Sequence, residues 1–135
     1  MIATKEYIKR FSKEYKLLKS TYCKELNERV IFTSEGFNHL IFTHGHKRPL
    51  KEIYFRLSLI KYISEIIKNG NHLERIKIKR EYFYKKETIT KYFAICKTIN
   101  DKNSMKLKVI LRKRGNDGEW IFLSIMGKES EENLV

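Results

Sequence analysis

Met105-Lys106-Leu107-Lys108-Val109-Ile110-Leu111-Arg112-Lys113-Arg114, then Gly115-Asn116-Asp117-Gly118, then Glu119-Trp120-Ile121-Phe122-Leu123-Ser124-Ile125-Met126 closes the sequence but for a short tail. Two runs rich in β-branched and apolar residues, joined by Gly, Asn and Asp, have the signature of a hairpin. Upstream, residues 88–99 and 73–84 have the same character. Lys85-Lys86-Glu87 separates those two, and Asn100-Asp101-Lys102-Asn103 leads to residue 105. Connections this short join antiparallel neighbours, because a parallel pair needs a long crossover. Residues 73–126 therefore predict a four-stranded antiparallel meander.

Before Asn71 the apolar period is helical. Ile8, Phe11, Tyr15, Leu18 and Tyr22 recur at steps of three and four, predicting one amphipathic helix over about residues 3–28. Val30, Ile31 and Phe32 form a short strand or extended entry. Ser34 reads as an N-cap, with Thr33 the alternative, before a short helix carrying Phe37, Leu40 and Ile41. A polar loop runs from Thr43 to Pro49. Leu50, Ile53, Leu57, Ile60, Ile63 and Ile67 then predict one long helix ended by Asn69-Gly70-Asn71. The expected fold is α+β: N-terminal helices packed on one face of a four-stranded antiparallel β-meander, the other face left free. A single domain is expected, with an N-terminal helix (1–28), a main body (29–127) and an acidic tail (128–135).

The chain of 135 residues carries 29 Lys and Arg against 16 Asp and Glu, a formal charge of +13. Folding does not require such an excess; a polyanionic partner does. Residues 72–114 alone hold fourteen Lys or Arg against four acids, Glu74, Glu81, Glu87 and Asp101. Strand alternation puts Lys106, Lys108, Arg112 and Arg114 on one side. Tyr and Phe among the cations favour nucleic acid over a membrane surface or an acidic protein, since rings stack on unpaired bases. Cys23, placed in the first helix, and Cys96, placed in a strand, read as reduced thiols. With charges every few residues up to Lys16 and no membrane span, the expectation is a cytoplasmic protein.

His39, His44 and His46 lie within eight positions, beside Lys47 and Arg48. Imidazoles titrate near neutrality, so His39 and His44 can act as base and acid, with Lys47 and Arg48 stabilising negative charge. The competing reading is structural or phosphate-positioning. A zinc site is weaker, because no Cys or acid lies near. No cofactor or metal is expected. Arg56 is either the partner of Glu52 in a surface ion pair or a phosphate clamp. Ser124 is either a tolerated small residue or a hydroxyl facing a basic cleft. Tyr92 is the best base-stacking residue, although most sheet aromatics belong to a core. A two-residue Asp117-Gly118 turn would point Ser124 away from Arg112, whereas a bulge or three-residue loop would bring them to one side.

Val30-Ile31-Phe32-Thr33, Gly36-Phe37-Asn38-His39-Leu40-Ile41, Lys47-Arg48 and Arg56-Leu57 resemble the phage-associated nuclease-like domains grouped with barnase, EndoU, colicin and RelE-type ribonucleases. Lys106 to Arg112, the Gly-rich turn and Ile121 to Met126 are similar to the closing hairpin of that group. The resemblance spans roughly residues 29–127. It implies helices followed by a four-stranded antiparallel sheet, and metal-independent RNA cleavage of a toxin or mobile-element type. It also implies His39 as principal catalytic histidine, Lys47 and Arg48 at the phosphate, and Ser124 as the last-strand hydroxyl. The expected function is RNA cleavage by 2′-hydroxyl attack, with Arg56, Tyr92, Lys106, Lys108, Arg112 and Arg114 holding the nucleic acid. An acidic antitoxin or immunity protein is the expected protein partner of a toxin. The rivals are a non-catalytic RNA- or DNA-binding module of a phage or plasmid, and a basic protein that docks an acidic one.

Overall fold

The computed structural model describes residues 4–100 and 104–127. Helix α1 (Thr4–Lys16) is followed by strands β1 (Thr21–Cys23) and β2 (Glu28–Ile31), helix α2 (Ser34–Ile41) and the small strands β3 (Phe42–Thr43) and β4 (His46–Lys47). Helix α3 (Leu50–Ser58), a 3₁₀ turn (Ile60–Tyr62) and helix α4 (Ile63–Asn69) lead to strands β5 (His72–Phe83), β6 (Lys86–Asn100), β7 (Ser104–Arg114) and β8 (Trp120–Gly127). Residues 101–103, expected to connect two strands, and the acidic tail from residue 128 lie outside the described residues.

The α+β class and the meander β5–β8 are as expected. The sheet has six strands rather than four, in the order β1-β2-β8-β7-β6-β5, beside a two-stranded β3–β4 sheet. Val30 and Ile31 pair in parallel with Trp120 and Ile121, and β1 pairs antiparallel with β2. Short connections could not reveal the β2–β8 pairing, because its two members lie at opposite ends of the chain. The first helix stops at Lys16, earlier than expected, and Cys23 is a buried strand residue. Thr21, Tyr22 and Cys23 suit a pleated surface better than a helix once 28–31 offers a partner.

The predicted long third helix is interrupted at Leu59. The 3₁₀ turn brings Leu59 and Ile60 inward together, both buried beside Ile53, Leu57, Ile63, Ile66 and Ile67. These residues pack against Ile95, Leu107, Val109, Leu111, Phe122 and Ile125 of the sheet. Thr33, the alternative N-cap, is the residue that caps α2, through its backbone conformation and without a side-chain bond. Tyr15 ties α1 to that junction: its hydroxyl donates to the Thr33 carbonyl at 2.6 Å.

The second sheet face is not left bare. Ala94, Ile110, Leu123 and Met126 form a smaller cluster there, with Tyr92 packed against it. A register shift between Ile110 and Leu111 places Ile110 opposite Ser124 and Arg112 opposite Ile121. Paired residues share a face, so this bulge brings Arg112 and Ser124 to one side.

Candidate functional site

Helices α2 and α3 lie along the part of β8 that β2 leaves unpaired. Gly36 meets the Phe122 carbonyl, and Phe55 stands over Gly127. Phe37, Leu40 and Ile41 of α2 enter the core. Glu35, one helical turn before His39, reaches instead to Arg112.

Arg112 is a buried guanidinium that donates through Nη1 and Nη2 to both carboxylate oxygens of Glu35, the Nη2 contact at 2.8 Å. Such a fork-on-fork pair is the strongest form of charged hydrogen bond. The Arg112 hydrogen bonds hold the Glu35 carboxyl below its ordinary range, against the opposing pull of burial.

Arg56 is buried on α3. Its Nη1 donates to Ser124 Oγ at 2.8 Å and to the Ile125 carbonyl at 3.2 Å, while Nη2 and Nε reach Glu52 Oε1 at 3.0 and 3.2 Å. Arg56 does pair with Glu52, but from a buried position rather than on the surface, and it also reaches the hydroxyl of the last strand. Arg48 donates from Nε to the His39 carbonyl at 2.9 Å and from Nη1 to Glu52 at 3.3 Å.

His39 is half-buried at the centre. Burial lowers its pKa; the charges of Arg48, Arg112 and Arg56 lower it further, and Glu35 works against them. The imidazole is therefore neutral and unprotonated over a wider pH range than a free histidine. Five sequence-predicted residues, His39, Arg48, Arg56, Arg112 and Ser124, thus belong to one cluster joined by hydrogen bonds and electrostatics. Glu35 and Glu52 complete it. Glu35 was not singled out from the sequence, although its i, i+4 spacing to His39 on a short helix is a usable signal.

The other predicted residues lie elsewhere. His44 occupies the tip of the β3–β4 hairpin with φ 51°, followed by Gly45 at φ 78°, the backbone of a tight two-residue turn. His44, His46 and Lys47 are exposed there, and none is among the groups whose charge acts on His39. Lys108 is buried and neutralised by Glu74 at 3.0 Å, so it is not the open cation that strand alternation suggested. Lys106 is exposed beside a small cavity of about 140 Å³ at the opposite end of β7 from Arg112. Tyr92 is half-buried, with the Lys77 ammonium 4.8 Å from its ring centroid and its hydroxyl 3.5 Å from Glu81. Arg114 continues the Arg112 face and borders two surface grooves. Among the described residues no three His, Cys, Asp or Glu side chains are grouped as metal ligands. No helix among them is long and apolar enough to cross a membrane.

Fold and site together define a class: a small basic α+β domain with a half-buried histidine beside a network of arginines and carboxylates at the junction of its helices and last strand. The chain belongs to the family "Large polyvalent protein-associated domain 3", whose model matches residues 3–122. That name suggests association with phages, in keeping with one half of the resemblance, and says nothing of nuclease activity. The match also takes in α1, which the resemblance had left out. No curated protein and no solved structure matches the chain.

Proposed function

We propose that the domain is a small ribonuclease that cleaves by attack of a 2′-hydroxyl on the adjacent phosphate. The observation that carries this is the half-buried His39 on α2, whose carbonyl accepts from Arg48 at 2.9 Å and whose helix also carries the Glu35 that holds Arg112. Burial and the charges of these guanidiniums favour the neutral imidazole. In this reaction His39 takes the 2′-hydroxyl proton, and the 2′-oxygen bonds to phosphorus. The 5′-oxygen leaves and takes its proton from solvent water, because His44 stands on the exposed β3–β4 hairpin outside the cluster. The arginines balance charge on the pentacoordinate phosphorane. The products are a 2′,3′-cyclic phosphate and a free 5′-hydroxyl.

The decisive comparison is purified wild-type protein against His39→Ala on total RNA. Wild type should cleave in EDTA, leave DNA intact and keep its activity to a lower pH than a histidine of ordinary pKa would allow, because burial favours the unprotonated base. The His39→Ala protein should lose at least a hundredfold in rate. Equal cleavage by the two proteins would end the assignment.

One observation favours a different reading, a module that binds nucleic acid without turnover. Arg112 and Arg56 are already engaged by Glu35, Glu52, Ser124 and the Ile125 carbonyl, as pure structural latches would be. RNA that is retained by the wild-type protein yet yields no cyclic phosphate would decide for this alternative.

A further inference from the structure

The hairpin of β5 and β6 outgrows the sheet. Its last rung with β7 is Thr90 opposite Arg114, and the partners continue to Phe83 opposite Lys86. Four residues of β6 beyond that rung make a two-stranded ribbon about 13 Å long. Tyr84 and Lys85, at φ 51° and 60°, close it in a two-residue turn.

A bare ribbon has no core to hold it, so an exposed apolar surface along it calls for an explanation. Ten large apolar or aromatic side chains are exposed among the described residues, and five of them, Ile76, Ile78, Tyr82, Tyr84 and Ile89, lie on this hairpin. Tyr82 is 77% exposed and Tyr84 89%. Residues 75–91 also carry seven Lys or Arg against two acids, Glu81 and Glu87. Lysines on an edge strand guard against unwanted pairing, but that defence needs no tyrosines at the tip.

The surface between the tip and the histidine cluster is grooved. One groove of about 520 Å³ runs between the ribbon and the β7–β8 turn, lined by Tyr84, Lys86, Ile89 and Arg114 and also by the acids Glu87 and Asp117. A second, of about 290 Å³, is lined by Arg112, Arg114, Gly118, Glu119 and Ile121. Arg114 borders both, and Arg112 belongs to the cluster around His39. The pairing of Tyr92 with Arg112 and of Thr90 with Arg114 puts both arginines on the face that carries Lys77 and Lys79, while Tyr82, alternating with them beside Ile78 and Arg80, lies on the reverse face of the ribbon.

We infer that the β5–β6 ribbon is a binding arm for single-stranded nucleic acid that wraps its tip: one base stacks on Tyr82 on the reverse face, another on Tyr84 at the turn, and the backbone passes over Arg114 on the front face toward Arg112. Cations alone suit any polyanion. Exposed tyrosines suit unpaired bases, whose π-faces a duplex keeps covered. Binding by the arm stands independently of catalysis; only delivery of the strand to His39 rests on the proposed function.

The probe is a fluorescent 2′-O-methyl oligonucleotide of about twelve nucleotides, within the size of one single-strand site. Without a 2′-hydroxyl it cannot be cut by the proposed reaction. Fluorescence anisotropy should show Tyr82→Ala/Tyr84→Ala binding at least tenfold more weakly than wild type, and Tyr82→Phe/Tyr84→Phe binding within about twofold, since phenyl rings still stack. The same probe annealed to its complement should bind more weakly than the single strand. These side chains are exposed, and unchanged circular dichroism would verify folding. Wild-type affinity in the alanine variant, or preference for the duplex, overturns the arm. Cleavage of a dinucleotide too short to reach the ribbon reports on the histidine cluster alone. A protein that binds through the tyrosines but cuts nothing refutes the nuclease and leaves the arm standing.

Discussion

Glu35 and His39 stand one helical turn apart, a carboxylate and a neutral imidazole, and the charge of Arg112 acts on both. For His39 the folded pKa is depressed, first by burial. The unfolded chain then binds more protons once the pH drops below about 6.5, so stability declines from that point toward the lower folded value. For Glu35 the folded pKa is also depressed, first by its bonds to Arg112. Its contribution is present above about pH 4.5 and is lost as the pH falls through the folded value. Urea denaturation midpoints should therefore fall between pH 7 and pH 5.5, and His39→Gln should flatten that decline. Glu35→Gln should steepen it, because the one negative charge favouring imidazolium is gone. Parallel profiles for wild type and His39→Gln would contradict the placement of His39 among buried cations.

At the scale of elements, the site depends on how closely α2 approaches β8. A Cβ at Gly36 would stand 2.5 Å from the Phe122 carbonyl and 2.6 Å from both the Phe122 ring and the Tyr15 hydroxyl. Alanine normally stabilises a helix over glycine by up to about 1 kcal/mol. Here backbone blocks the space, and Gly36→Ala should destabilise by about 1–3 kcal/mol, as overpacking does. Chemical denaturation measures this directly, and a gain in stability would show that α2 has room to move. The same approach brings Glu35 to Arg112, so the substitution should also weaken that pair. The bulge in β8 has the complementary role: with regular pairing, Ser124 would face away from Arg112.

For the molecule as a whole, the excess charge is unevenly used. Arg56, Lys108 and Arg112 are neutralised or bonded inside the protein, so the net charge overstates the number of cations available to a ligand. If Lys77, Lys79, Lys86 and Arg114 supply the backbone contacts, single-strand affinity should fall with salt at a slope of about −2 to −4 in log–log form. Titration of the 2′-O-methyl oligonucleotide across a range of potassium chloride concentrations gives that slope. A flat dependence would mean that phosphate contacts do not drive binding.

The local sequence by itself determined what local physics controls. Alternation and turn residues mark the four strands of the meander, period-3.6 stripes mark the helical regions, and the charge excess is concentrated in the sheet. His39, Arg48, Arg56, Arg112 and Ser124 were each legible as chemistry-bearing residues. Their mutual positions were not, because Arg56 meets Ser124 across 68 residues and Arg112 meets Glu35 across 77. Tertiary structure alone decided the parallel β2–β8 pairing, the break at Leu59, the burial of Lys108 against Glu74 and the side to which Ser124 turns. Each of these depends on which distant backbone edge or side chain completes a hydrogen bond or fills a core, and neighbouring residues carry no record of that choice.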